Sequence, residues 1–205
     1  MSITFEVNLP LDNKLTQGKD KTITLANMTW DDYQTITQEN QGYRISFFEG
    51  VISIMSPSRN HERIAQTISI LINAYCRQYN IDYFSLGSSD IKTPPIAGKQ
   101  PDVSYCFEIE KETPDLAVEV VFSSGGIKDL DKYKILQVKE IWFWRNNKIE
   151  FYWLENSEYK LINLSRRLTR LEAQFLNKFV NSGLTESHLA IERNFIAQLQ
   201  KEKGL

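Results

Sequence analysis

Two carboxylates in neighbouring apolar segments are the residues of this chain best suited to chemistry. Asp102 directly follows Pro101, and Glu119 lies in the middle of LAVEVVF, residues 116–122. A carboxylate buried without a partner costs several kcal/mol or becomes protonated. A divalent cation shared by two carboxylates removes that cost, and Mg²⁺ prefers hard oxygen ligands of this kind. The pair is therefore a candidate Mg²⁺ site, with Mn²⁺ as the alternative ion.

A structural role fits the same two residues. Glu119 facing solvent on an edge strand, or paired with a lysine, needs no metal, and Asp102 after a proline fits a turn. The overall charge counts against a nuclease: the net charge is −2 and the pI about 5.8, so the chain lacks the global basic field typical of a nucleic-acid binder. A local basic cleft or a bound Mg²⁺ can still supply positive charge on an acidic protein.

The composition is that of one soluble globular domain. Of the 205 residues, 41% are hydrophobic and 24% charged, and no apolar run approaches the roughly 20 residues of a spanning helix. The N-terminus lacks a signal layout, and Cys76 and Cys106 are expected to be free buried thiols. We therefore expect a cytoplasmic protein without membrane contact, with a single domain over residues 1–205.

Hydrophobic periodicity predicts strands and helices in mixed order, as in an α/β domain. An extension over residues 1–40 holds a strand or an ordered arm at 3–9 and a short helix capped by Thr29. The next elements are a hairpin turning at Glu49-Gly50 and an amphipathic helix of about 18 residues within 56–80. A strand near 81–87, a loop over 91–98, strands after Pro101 and Pro114, and a helix over 128–137 follow. A hairpin turning at Asn146-Asn147, a further strand and C-terminal helices within 170–205 complete the chain.

The ordered motifs resemble a known family. MTWDDY, FFEGVISIMSPSRNHERI, GKQPDVSYCF, PDLAVEVVFSSGGI and YKILQVKEIWFW, spread over residues 28 to 165, are similar to the Uma-type restriction endonucleases of the PD-(D/E)XK superfamily. The resemblance implies a restriction-endonuclease-like α/β fold, a mixed central β-sheet flanked by helices. It also implies Mg²⁺-dependent phosphodiester cleavage with DNA as substrate, and a homodimer, since restriction-type nucleases that cut both strands are usually paired.

The resemblance also assigns roles to residues. Asp102 and Glu119 correspond to the metal-binding carboxylates, and Glu62 to an additional acidic residue. Val121 occupies the position of the superfamily lysine, which relatives of this type carry on the helix after the glycine pair. At about 100° per residue, Lys132 lies about 60° from Asp129 and Lys128 about 100° away, so Lys132 is the first candidate for the catalytic amine and Lys128 the second.

The start of the long helix offers two further residues. Glu62 projects about 160° from Ile64, nearly opposite the apolar face, whereas His61 lies about 60° from Ile64. His61 is a core histidine or a site residue near the scissile phosphate.

Relatives of this family read Asp-Lys after GGI, and this chain reads Lys128-Asp129. That swap favours an alternative to the endonuclease, a catalytically degenerate nucleic-acid-binding or interaction module with the same fold.

Overall fold

The computed structural model of the protein describes residues 20–40, 42–122 and 129–202. The strand predicted at 3–9 lies outside these residues, as does Lys128. The elements are β1 Lys21–Ala26, α1 Trp30–Glu39, β2 Arg44–Phe48, β3 Val51–Ser56, α2 Arg59–Tyr79, β4 Tyr83–Ser85, β5 Ile91–Thr93, β6 Ala97–Lys99, β7 Val103–Phe107, β8 Leu116–Val121, α3 Asp129–Leu136, β9 Glu140–Arg145, β10 Lys148–Glu155, β11 Glu158–Ile162, α4 Ala173–Val180, a 3-10 helix Asn181–Leu184 and α5 His188–Glu202. The predicted α/β class is confirmed, with the strands divided between two sheets.

The first sheet is antiparallel and has the order β1-β3-β2-β6-β5. Its hairpin turns at Glu49 and Gly50, both of which have positive φ (49° and 74°), the conformation that a two-residue hairpin turn requires. Helix α1 covers this sheet and begins with a capping box, in which the side chains of Thr29 and Asp32 each accept a hydrogen bond from the other's backbone N–H. Its buried Tyr33 and Ile36 form a small core with β2 and β3.

The second sheet is mixed and has the order β11-β10-β9-β8-β7-β4, in which β8 and β9 are parallel. Strand β8 is buried on both faces. Leu116, Val118 and Val120 pack in the core formed with α2, whereas Ala117 and Val121 pack in the core formed with α3. Because side chains alternate along a strand, Glu119 projects towards α3.

Helix α3 lies where the two sheets meet, because it packs against β5 and β6 of the first sheet and β11 of the second. Its buried Tyr133 and Leu136 share one core with residues of both sheets. The residues of α3 that face this core are therefore held close to both sheets at once.

The segment that leads to the second sheet differs from the prediction. Residues 91–98, predicted as a loop, contain β5 and the start of β6, which pair with each other around Pro94-Pro95. The strand β1 was not predicted, and α2 is 21 residues long. Cys76 and Cys106 are free and buried as expected. Among the described residues, no helix is long and apolar enough to cross a membrane.

Candidate active site

The candidate site lies where the chain passes from the first sheet to the second. Lys99 ends β6, and three residues later Asp102 precedes β7. Gln100 continues the pairing with β2, since its backbone N–H donates to the Ile45 carbonyl (3.1 Å) and its side chain accepts from the Ile45 N–H (3.0 Å). The Asp102 N–H then donates to the Val118 carbonyl of β8 (3.1 Å). Both ends of this short segment are therefore fixed by backbone hydrogen bonds.

Asp102 is buried and surrounded by hydrogen-bond donors and cations. Its Oδ2 accepts from the Val120 N–H at 2.7 Å, while its Oδ1 lies 2.8 Å from His61 Nε2 and 3.3 Å from Arg44 Nε. The contacts to Oδ1 are short but lack hydrogen-bond geometry, so we treat them as ion pairs. Burial alone would raise the pKa of Asp102, but His61 and the other contacts hold it below its usual range. Asp102 is therefore ionised.

His61 links Asp102 to a second carboxylate. The N-cap Ser58 accepts from the His61 N–H (3.2 Å), which places the imidazole in the first turn of α2. Its Nδ1 lies 3.0 Å from Asp20 Oδ2, and Asp20 Oδ1 accepts from the Ser58 N–H at 2.8 Å. Burial alone would lower the pKa of His61, but Asp102 and Asp20 outweigh that effect and raise it to about 10. The imidazole is therefore a buried cation at neutral pH.

Glu119 enters the site from β8. Its Oε1 accepts from the Tyr133 hydroxyl and lies 3.2 Å from Lys99 Nζ, so Oε2 is the oxygen that these contacts leave unused. Burial raises the pKa of Glu119; Lys99 opposes this shift, and the charge of Asp102 adds to it. In the antiparallel pairing of β7 with β8, Val103 lies opposite Val118, so Asp102 lies opposite Glu119.

Two lysines reach the site at different depths. Lys99 Nζ contacts Glu119 and Asp129 Oδ2 (3.1 Å), whereas Lys132 Nζ contacts Asp129 Oδ1 (2.8 Å) and Ser46 Oγ (3.1 Å). Burial raises the pKa of Asp129, but the two lysines lower it to about 2. Lys132, the first candidate from the sequence, is therefore joined to the cluster through Asp129, whereas Lys99 contacts Glu119 directly. Lys128, the second candidate, lies outside the described residues.

Glu62 lies at the edge of the site. Its side chain is 50% exposed, in agreement with the predicted orientation, and its Oε1 lies 3.2 Å from Arg44 Nη2. Since Arg44 also contacts Asp102, Glu62 reaches the carboxylate pair only through the guanidinium. The sequence interpretation omitted Arg44, Lys99, Tyr133 and Asp20. The charge of Lys99, three residues before Asp102, was a usable signal, but the segment directly before it, residues 91–98, was assigned to a loop.

The side chains present fit a divalent cation. The buried Asp102 Oδ1 has no hydrogen bond of good geometry, and Glu119 Oε2 is unused by the contacts of that carboxylate. Mg²⁺ is commonly bound through one or two carboxylates together with water and substrate phosphates. Within residues 20–40, 42–122 and 129–202, no group of three or more His, Cys, Asp or Glu side chains is arranged to hold an ion.

The fold is similar to that of a crystal structure described as "a putative nuclease belonging to DUF820" from Anabaena variabilis, with a TM-score of 0.53 and 14% identity. The similarity covers 75% of this chain and 99% of the other. The predicted restriction-endonuclease-like class is thereby confirmed.

The family Uma2, described as "Putative restriction endonuclease", matches residues 30–191. The chain belongs to this family. No curated protein matches it.

Proposed function

We propose that this protein is a Mg²⁺-dependent endonuclease that hydrolyses phosphodiester bonds in DNA, with Mn²⁺ as the alternative ion. Membership of the restriction-endonuclease family supports a nucleic-acid substrate. The observation that carries the proposal is the meeting of Asp102 and Glu119, from adjacent strands, in one buried cluster that also holds protonated amines. A substrate phosphate brings negative charge, which such a cluster of cations accommodates.

The residues of the chain divide into two roles. Asp102 and Glu119 would hold the ion, which when bound supplies a Lewis acid for the phosphate oxygens. His61 and Arg44 keep Asp102 ionised and fix its position, and Tyr133 fixes Glu119. Hydrolysis forms a bond between a water oxygen and phosphorus and breaks the bond from phosphorus to a deoxyribose oxygen. The proton of the attacking water passes to solvent, and the leaving oxygen takes up a proton.

The remaining candidates from the sequence keep narrower roles in this proposal. Lys132 reaches the site through Asp129 and Ser46, which favours orientation of Asp129 over direct contact with the metal ligands. We assign Glu62 to the orientation of Arg44. Lys128 and a homodimer that cuts both strands stay predictions of the family resemblance.

The proposal is tested with Asp102→Asn and Glu119→Gln. Calorimetry measures Mg²⁺ and Mn²⁺ binding in the presence and absence of a short DNA duplex, and nicking of supercoiled plasmid DNA is followed with Mg²⁺ or a chelator. We expect wild-type protein to bind metal and cut, and both variants to lose metal binding and at least about 100-fold in cutting rate. Cutting that persists in a chelator, or in both variants, would overturn the site assignment.

Asp115→Asn is the matched control for these variants. Asp115 is also a buried carboxylate beside β8, with contacts to Lys111 (2.6 Å), Arg167 (2.9 Å) and the Phe107 N–H (3.0 Å). It therefore tests the general cost of neutralising a buried acid. We expect it to lower stability and to leave metal binding unchanged in the folded fraction.

One observation favours the second candidate function, a non-catalytic nucleic-acid-binding or interaction module. Arg44, His61 and Lys99 already compensate the carboxylates within the protein, so the cluster is electrostatically satisfied without an ion. This function predicts salt-sensitive DNA binding with no metal-dependent cutting. Cutting by wild-type protein that disappears in Asp102→Asn would exclude it.

A further inference from the structure

Lys99 is the buried cation that the family resemblance does not assign. Among the described residues it is the only lysine or arginine that is buried, with 8% of its surface exposed. Its Nζ lies 3.2 Å from Glu119 Oε1 and 3.1 Å from Asp129 Oδ2. A buried ammonium group is costly unless it is paired, and here it is paired with one of the two proposed metal ligands.

The charge state of Lys99 limits what it can do. Its Nζ is held between two carboxylates, Glu119 and Asp129, which pair with the ammonium form of lysine. A lysine ammonium donates hydrogen bonds and accepts none. Its contribution to a reaction is that of a fixed positive charge and hydrogen-bond donor.

The geometry separates Lys99 from Lys132. Lys99 contacts Glu119 directly, whereas Lys132 contacts Asp129 and Ser46. Lys132 is also more exposed, with 17% of its side chain accessible against 10% for Lys99. A phosphate that binds beside Glu119 therefore lies next to the ammonium group of Lys99, while Asp129 separates it from that of Lys132.

We propose that Lys99, from the strand before the Asp102 motif, is the catalytic ammonium group of this site and contacts the scissile phosphate. This inference rests on the proposed nuclease function. Lys132 is then a positioning residue, which holds Asp129 and through it Lys99. The lysine that relatives carry on the helix after the glycine pair is thus replaced in its role by a residue of β6.

A lysine cation next to a metal ligand should also weaken the binding of the metal. Lys99 and a divalent cation are both attracted to Glu119 and repel each other, so removing the lysine charge should strengthen metal binding. The same change should slow cleavage, because the developing charge on the phosphate loses a donor. A lysine that only maintains the structure of the site would weaken metal binding and cleavage together.

The test compares Lys99→Met with its matched control Lys132→Met. Calorimetry without DNA measures the Kd for Mn²⁺ and Mg²⁺, and single-turnover plasmid nicking at saturating metal measures the cleavage rate. For Lys99→Met we expect a Kd lower by about tenfold or more and a cleavage rate lower by about 100-fold or more. For Lys132→Met we expect smaller changes in both. Circular dichroism confirms the fold, and Lys99→Gln replaces Lys99→Met if the latter does not fold.

A second readout does not require activity. A ligand that binds only the folded state raises Tm more at a fixed concentration when it binds more tightly, so added Mn²⁺ should raise the Tm of Lys99→Met by more than that of wild-type protein. An equal or smaller Tm rise in the variant would contradict the proposed competition between lysine and metal.

The outcomes separate this inference from the nuclease proposal. Wild-type protein that neither binds metal nor cuts DNA contradicts the proposed function itself. If wild-type protein cuts, the role of Lys99 is overturned when Lys99→Met cuts equally well or when it loses metal binding while folded. It is also overturned if Lys132→Met shows the greater loss of cleavage with unchanged metal affinity.

Discussion

The buried histidine predicts how the stability of the metal-free protein depends on pH. The pKa of His61 is raised to about 10 in the folded protein, against 6.5 for an ordinary histidine. A raised pKa means that the folded state binds the proton more tightly than the unfolded state does. The stabilisation is therefore fully present below pH 6.5 and is lost as the pH rises towards 10.

The difference between the two pKa values of His61 sets the size of this effect. A rise from 6.5 to about 10 contributes roughly 5 kcal/mol to the free energy of unfolding. His61 is fully buried, so solvent does not screen its contacts with Asp102 and Asp20. Between pH 7 and pH 9 the contribution should fall by about 1.4 kcal/mol per pH unit.

His61→Gln isolates this contribution, because glutamine keeps a hydrogen-bonding side chain without a titratable charge. Urea denaturation at half-unit steps from pH 6 to pH 10, in the presence of a chelator, gives the free energy of unfolding for each protein. We expect His61→Gln to be less stable than wild type by about 3–5 kcal/mol at pH 6. The two curves should converge as the pH approaches 10.

His188, the other histidine of the chain, provides the control. It begins α5, outside the buried cluster, so His188→Gln should follow the wild-type profile. Wild-type and His61→Gln curves that run parallel between pH 7 and pH 9 would refute the assignment of His61 as a buried cation held by two carboxylates.

Two substitutions probe the packing around the site. An alanine Cβ at position 98 would lie 2.4 Å from a ring carbon of buried Tyr33. Gly98→Ala should therefore cost about 1–3 kcal/mol of unfolding free energy and slow cleavage through the adjacent Lys99; an unchanged urea midpoint would contradict this. Glu140 accepts from the Trp142 indole N–H (2.7 Å) and from two backbone N–H groups before α4 (3.0 and 2.9 Å). Glu140→Gln should leave a buried donor unpaired and cost about 1–3 kcal/mol of unfolding free energy. The metal affinity measured by calorimetry should not change; a large change would show that Glu140 affects the Asp102–Glu119 pair.

Local signals in the sequence predicted the elements that depend on local interactions. Thr29 and Asp32 form a capping box within one turn, and the hairpin turns at Glu49-Gly50 and Asn146-Asn147 use residues that accept positive φ. The angular argument on α3 correctly placed Lys132 beside Asp129, since these residues are three positions apart on one helix.

The sequence interpretation failed where a segment depends on distant partners. Strands β5 and β6 are three residues each, and β6 pairs with β2, about 50 residues earlier in the chain. No periodicity can be read from three residues, and two prolines between the strands are typical of a loop. Lys99 directly follows the predicted loop and was not identified as a site residue, because its partners Glu119 and Asp129 are joined to it only through the tertiary fold.

The candidate carboxylate pair could be predicted from the sequence for a physical reason. Glu119 interrupts a strand that is apolar on both faces, and a charge in such surroundings requires a partner. The partners of Glu119 and Asp102 could not be predicted, because Lys99, which contacts Glu119, and Arg44 and His61, which contact Asp102, belong to three different elements. Their convergence depends on how the two sheets meet.

The geometry of the site depends on the length of the short segment that connects the two sheets. Only Gln100, Pro101 and Asp102 separate β6 from β7, and three residues span at most about 10–11 Å. One inserted residue would change the reach between the lysine and the carboxylate by up to about 3.5 Å and move the following side chains to the opposite face. The surface turn at Asn146-Asn147 can accommodate an inserted residue, whereas the segment between β6 and β7 cannot. The number of residues between β6 and β7 therefore fixes the distance between the positive charge of Lys99 and the negative charge of Asp102.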